Sequence, residues 1–217
     1  MPGLYREIFR SLSRVTSDGW PQRLGLDRAF RARFGNLLIY LIVDMCQYLS
    51  GLGYMHRTVA LYQHQEDAIL SESAIDEEDE ATSSLTPPQS LTCRQYVIYA
   101  TSFQVPAFYF SIHDSNGSPL ALKDLVRTCL FRHHAFTGVE TSAFALGMPG
   151  SAFPLVSQGD HPTLGIPCWY FHPCETPKSV GDIMTEVEQP EWSEQERLVR
   201  WLEAWFMIVG TVVCFDK

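Results

Sequence analysis

Apolar residues recur along the chain at two spacings, and the changes between them mark its elements. Leu4–Val15 is apolar at positions 4, 5, 8, 9, 12 and 15, which makes one face of an amphipathic helix. Asp18-Gly19 ends it, and Trp20-Pro21 opens a connector. Leu37–Val43 is a continuous apolar run, with Asp44 and Gln47 just beyond it. A membrane-crossing helix needs about 20 mostly apolar residues, so this run reads as a buried helix or strand. Gly51 and Gly53 turn the chain into a first strand over Tyr54–Tyr62.

Gln65–Ser90 is rich in Asp, Glu, Ser, Thr and Pro. It cannot bury enough apolar surface to offset its ordering entropy, so it is expected to be an acidic disordered loop inserted in the domain. Arg94–Ile112 carries the strongest strand signal, with Tyr96, Val97, Ile98, Tyr99, Phe103, Val105, Phe108, Tyr109, Phe110 and Ile112. Pro106 cannot donate to a ladder and marks a bulge or a boundary between two strands. Asp114-Ser115-Asn116-Gly117 is a hairpin-turn signal. Leu120–Leu130 reads as a helix with Leu122, Leu125, Val126, Cys129 and Leu130 on one face, and His133–Asp160 as a long Gly- and Pro-bearing loop. A short apolar strand at Trp169-Tyr170-Phe171 follows, then an irregular segment over Glu175–Pro190.

The last element is a helix. Ser193 and Glu196 make a Ser-x-x-Glu capping box, and Leu198, Trp201, Leu202, Trp205, Ile208 and Val209 repeat at three and four. It is expected to dock on the core. The succession predicts an α+β fold, an antiparallel sheet with helices packed on it.

At 217 residues the chain is read as one domain over 1–217, and a 46% hydrophobic fraction suffices for a real core. The formal charge of −9 argues against a nucleic-acid partner. Eight acidic residues fall between Glu66 and Glu80 with no Lys or Arg among them, so the rest of the chain is nearly neutral. The six cysteines are scattered without a Cys-x-x-Cys, and the N-terminus lacks the regions of a signal peptide. A reducing, cytoplasmic setting with free thiols is expected.

One thiol stands out. Cys174 follows Trp169-Tyr170-Phe171 and His172-Pro173, and the chain then turns polar at Glu175, Thr176, Lys178 and Ser179. Proline fixes its own φ and biases His172 to an extended conformation. Cys174 is thus expected where a strand leaves the core, with the access that a thiolate nucleophile needs, and His172 is near enough to polarise it. A small buried hydrophobe is the ordinary role of a lone cysteine. His161, Cys168, His172 and Cys174 also lie within fourteen residues, but their spacing fits no common zinc pattern. A papain-like arrangement wants a distant Asn, and only Asn36 and Asn116 exist.

His172-Pro173-Cys174-Glu175-Thr176, preceded by His161-Pro162-x-Leu164-Gly165-x-Pro167, resembles the autophagy-related protein 10 family. So do Tyr96-x-x-Tyr99, Ser102-Phe103-Gln104-Val105-Pro106, Gly117-x-Pro119-Leu120-x-Leu122-Lys123-Asp124 and Trp201-Leu202…Ile208-Val209-Gly210. The resemblance covers roughly Tyr96–Cys214 and leaves out Arg31–Ser50 and Thr137–Phe153. It implies a ubiquitin-conjugating-enzyme-like fold with the cysteine after a strand. Cys174 would take autophagy-related protein 12 as a thioester from the activating enzyme, autophagy-related protein 7. It would then pass it to a lysine of autophagy-related protein 5.

The resemblance further implies no metal or organic cofactor, no membrane insertion, and transient association with pre-autophagosomal membranes. His172, Pro173 and Tyr99 are the supporting residues. A sister enzyme acting on a lipid-linked system, and a non-catalytic module of the same fold, are the alternatives. Ordinary conjugating enzymes place an Asn before the cysteine to hold the oxyanion. No Asn lies between Gly117 and Lys217 here, so backbone N–H groups, another side chain such as Tyr99, or a partner must serve. Glu175 is the nearest carboxylate that could take the lysine proton.

Overall fold

A computed structural model describes residues 54–63, 90–133 and 135–215. The expected helix at Leu4–Val15, the run Leu37–Val43 and all of the acidic segment but Ser90 lie outside them. Among the described residues seven antiparallel strands form one sheet: β1 (Tyr54–Leu61), β2 (Leu91–Ala100), β3 (Val105–His113), β4 (Glu140–Thr141), β5 (Ala145–Gly147), β6 (Val156–Asp160) and β7 (Pro167–Phe171). Their order is β1-β2-β3-β7-β6-β5-β4, so two meanders meet where β3 pairs with β7, Tyr109 opposite Tyr170 and Phe110 opposite Trp169.

Side chains alternate across a strand, and the alternation of β2 and β3 sorts the core. Leu91, Cys93, Val97, Phe108, Phe110 and Ile112 face one way, together with Met55 and Trp169. On this face pack α2 (Thr176–Val187) and α3 (Glu194–Val209), through Val180, Met184, Leu202, Trp205 and Phe206. Tyr54, Tyr96, Ile98 and Cys168 form a smaller cluster with Tyr109 and Ile166 on the opposite face. Buried Arg57 donates to the Gln95 side chain at 2.9 Å and to the Phe215 carbonyl at 3.1 Å, which ties the chain's last described residues to the sheet. The α3 capping box is formed as the sequence predicts.

Three segments differ from expectation. The helix predicted over Leu120–Leu130 is only α1, Leu122–Leu125. Beyond it the backbone is claimed by distant partners. Cys129 N–H donates to the Tyr62 carbonyl, and the Leu130 carbonyl accepts from Cys214 N–H. The Thr128 hydroxyl bonds back to Leu125, which competes with helix continuation. The apolar face is buried nonetheless, at Leu122, Leu125, Cys129 and Leu130. The long loop expected at His133–Asp160 contains β4, β5 and β6, strands too short for a period-two signal. The irregular Glu175–Pro190 is mostly α2, and Val180, Ile183, Met184 and Val187 are spaced as one helical face. Pro106 is the second residue of β3, and the boundary with β2 lies at Thr101–Gln104. No helix among the described residues is long and apolar enough to cross a membrane.

Candidate active site

Where β7 ends, the chain makes a tight turn before entering α2. His172 is extended at φ −68, ψ 122, and Pro173–Glu175 form one turn of 3-10 helix. Pro173 is buried, Cys174 is half-buried and Glu175 is exposed. Proline suits this first position, because its fixed φ matches the turn and its missing N–H has no acceptor there. Pro177 repeats the device in the first turn of α2. Cys174 therefore sits between a strand end and a helix start, half-buried in the turn.

His172 organises the turn from inside. Its Nδ1 accepts the Cys174 backbone N–H at 3.3 Å, and its own N–H donates to the Leu155 carbonyl at 3.0 Å. Phe153 stacks on the ring at 5.1 Å with an interplanar angle of 19°, and Phe103 meets it edge-on at 5.4 Å. Burial lowers the pKa of His172 below the ordinary histidine range. A neutral ring that accepts at Nδ1 carries its proton on Nε2. The expected polarisation of the thiol is thus not what Nδ1 does: it holds the backbone of Cys174.

The other residues singled out in the sequence divide into two groups. Tyr99 stands opposite Pro106 in the β2–β3 ladder, at the end of the sheet where β3 runs alongside the exit of β7. His161 belongs to the opposite face. It is fully buried, and its Nδ1 accepts from Thr163 N–H at 3.2 Å and Leu164 N–H at 3.1 Å. Gly165 supplies the positive φ of +63 that closes this loop between β6 and β7. The His161 ring stands edge-on to Tyr54 and Tyr96, both at 4.7 Å, and burial lowers its pKa. The His-Pro-x-Leu-Gly series is thus a loop cap. Cys168 is buried on that same face, its thiol pushed up to about 11 mainly by desolvation. Among the described residues no three His, Cys, Asp or Glu side chains are grouped to hold a metal ion.

The family described as autophagocytosis associated protein, active-site domain, matches residues 22–217. The chain belongs to this family. The matched span encloses both stretches, Arg31–Ser50 and Thr137–Phe153, that the motif resemblance left out. The chain is 30% identical over 118 residues to the ubiquitin-like-conjugating enzyme ATG10 of Homo sapiens, covering 54% of this chain and 46% of that protein. It is 31% identical over 120 residues to the protein of the same name from Arabidopsis thaliana, with 54% and 47% covered. For that of Dictyostelium discoideum the identity is 28% over 123 residues, with 54% and 48% covered. These relatives bear out the autophagy-related protein 10 family read from the motif series. The chain spans about half the length of each of them.

The sequence reading missed the aromatic pair around His172. Phe103 lay inside a strand signal, and Phe153 inside what read as loop. Neither position shows its neighbour until β3 and β7 are paired and the β5–β6 loop folds back.

Proposed function

We propose that this chain is a ubiquitin-like conjugating enzyme that carries its cargo as a thioester on Cys174. The observation that supports it is the half-buried Cys174 held in a turn between β7 and α2, within a fold and family whose relatives bear the conjugating-enzyme name. In the first step the Cys174 sulfur attacks the thioester carbonyl of the charged activating enzyme. A carbon–sulfur bond to Cys174 forms, the bond to the activating enzyme's cysteine breaks, and the Cys174 proton passes to the departing thiol. In the second, a lysine amine attacks the new thioester. The amide C–N bond forms, the C–S bond breaks, and the proton shed by the nitrogen restores the Cys174 thiol. ATP is consumed at the activating enzyme.

Each step builds negative charge on the carbonyl oxygen, which needs a donor. The first turn of α2 starts two residues after Cys174 and brings the positive end of the helix dipole there; its Thr176 N–H is already given to the Pro173 carbonyl and Pro177 has none. Glu175, exposed and next to Cys174 in the chain, is a carboxylate that can take the lysine proton, and Tyr99 stands at the same end of the sheet. The cargo is autophagy-related protein 12, the activating enzyme autophagy-related protein 7, and the acceptor a lysine of autophagy-related protein 5. The reaction runs in the cytoplasm, with transient contact at pre-autophagosomal membranes.

A charging assay tests this. The chain is incubated with autophagy-related protein 7, ATP and autophagy-related protein 12, and resolved with and without reductant. A reductant-sensitive adduct that is missing in Cys174→Ala is the expected result. No adduct in the presence of demonstrably active activating enzyme overturns the proposal.

A further inference from the structure

We propose that Phe103 and Phe153 are positioning residues for Cys174, clamping the His172 ring so that its Nδ1 meets the Cys174 backbone N–H. The inference rests on the reading of Cys174 as the carrier thiol. The two rings come from separate halves of the sheet. Phe103 lies in the turn between β2 and β3, and Phe153 in the loop between β5 and β6. They converge on one imidazole, Phe153 by stacking at 5.1 Å and Phe103 edge-on at 5.4 Å. Neither is a core residue: Phe103 is 40% exposed and Phe153 53% exposed, and neither belongs to the two buried clusters. Large aromatics kept this exposed, each in ring contact with the same histidine, are not there to fill volume.

What they do to that histidine follows from its bond. Nδ1 can accept the Cys174 N–H only while it is unprotonated. A proton there would set two donors face to face and release the turn. Flanking apolar rings oppose that proton by excluding water, which is the direction in which burial moves His172. Among the described residues, the titratable groups near the ring include Tyr170, at 6.3 Å, and Cys174 and Glu175 on the same turn. The clamp thus fixes both the ring's orientation and its neutrality, and through them the backbone that carries the thiol.

The test compares the wild-type chain with Phe103→Ala, Phe153→Ala, the double variant and Phe153→Tyr, which keeps a ring. NMR titration of the His172 imidazole in the uncharged protein is the first readout. The expected result is a wild-type midpoint below the ordinary histidine value of about 6.5, a midpoint moved back toward it in each alanine variant, and recovery in Phe153→Tyr. Charging of Cys174 by the activating enzyme, followed against pH, is the second. The alanine variants should lose rate at saturating donor several-fold at pH 6, and their acid limb should begin at higher pH. A single protonation limits that limb to about tenfold per pH unit.

A wild-type His172 that titrates normally, or alanine variants that leave its midpoint unmoved, overturns the inference. So does a loss seen only in the donor concentration needed for half-saturation, which would make the rings a docking surface. If wild-type protein takes no adduct on Cys174, the conjugation reading fails, while the titration still decides whether the two rings govern His172.

Discussion

Replacing Glu203 by Gln should flatten the pH dependence of stability. Glu203 lies on α3 and is only 3% exposed. Its one ion pair on this helix is with Arg200, at 3.2 Å, and Arg200 also lies over the Trp192 ring at 5.7 Å. Desolvation outweighs the attraction of Arg200 and raises the carboxyl from 4.5 to about 7. A carboxyl whose folded pKa is raised holds its proton more tightly in the native state than in the unfolded chain. Its contribution to stability is therefore full below pH 4.5, declines as pH rises, and levels off above about pH 7. One pKa unit is 1.36 kcal/mol, so this single group should remove about 2 to 3 kcal/mol of stability between pH 5 and pH 8. The assay is urea unfolding of wild type and Glu203→Gln at pH 5, 6.5 and 8. Losing the partner of Arg200 shifts the variant by a constant, because Arg stays charged throughout, and only the slope is read. The wild type should lose about 2 to 3 kcal/mol more than the variant over that range. Parallel curves would refute the reasoning, because Glu203 would then ionise alike in both states.

Two further outcomes follow from the opposite face of the sheet. His161→Ala should destabilise the protein by removing the acceptor of two loop N–H groups, whereas His161→Asn should retain most stability by offering its carbonyl to them. Because burial lowers the folded pKa of His161, the unfolded chain takes up the proton first and stability falls as pH drops below about 6.5. His161→Asn should make that acid loss shallower, read as urea midpoints at pH 7 and pH 5. Gly159→Ala would bring a methyl group to 3.0 Å from the Tyr170 ring, which is stacked on Tyr109 at 5.0 Å. A loss of about 1 kcal/mol is expected, read as a lowered melting temperature, and an unchanged melt would mean that the two rings shift freely.

What the sequence shows plainly is whatever rests on local pattern. The capping box at Ser193 and Glu196, the alternation through β2 and β3 and the turn at Asp114–Gly117 all carry their cause in neighbouring residues. So does Cys174, because Phe171-His172-Pro173 already states that a strand ends and a turn begins. The segments misread are those whose partners are remote. Val126–Leu130 has the spacing of a helix, but its backbone pairs with Tyr62 and Cys214. β4 and β5 are two and three residues long and exist through the ladders that β6 and β7 extend to them. α2 is the exception. Its four apolar positions, Val180, Ile183, Met184 and Val187, carry the helical spacing in the sequence itself. At the site, the backbone role of His172 and the ring pair around it depend on contacts between loops far apart in sequence, which no spacing rule reaches.

The pairing of β3 with β7 has a consequence for how the molecule comes to exist. Each meander can zip locally from its own hairpins, but Phe110 and Trp169 are about 60 residues apart, and closing such a loop costs entropy before any contact rewards it. The turn bearing Cys174 hangs on β7, and two of its supports, Phe103 and the Leu155 carbonyl, come from opposite sides of that seam. A nascent or partly unravelled chain can hold either meander without assembling the turn that bears Cys174. On the carrier role proposed for Cys174, maturation of the thiol is tied to completion of the sheet, and half-made molecules would compete poorly for an activated cargo.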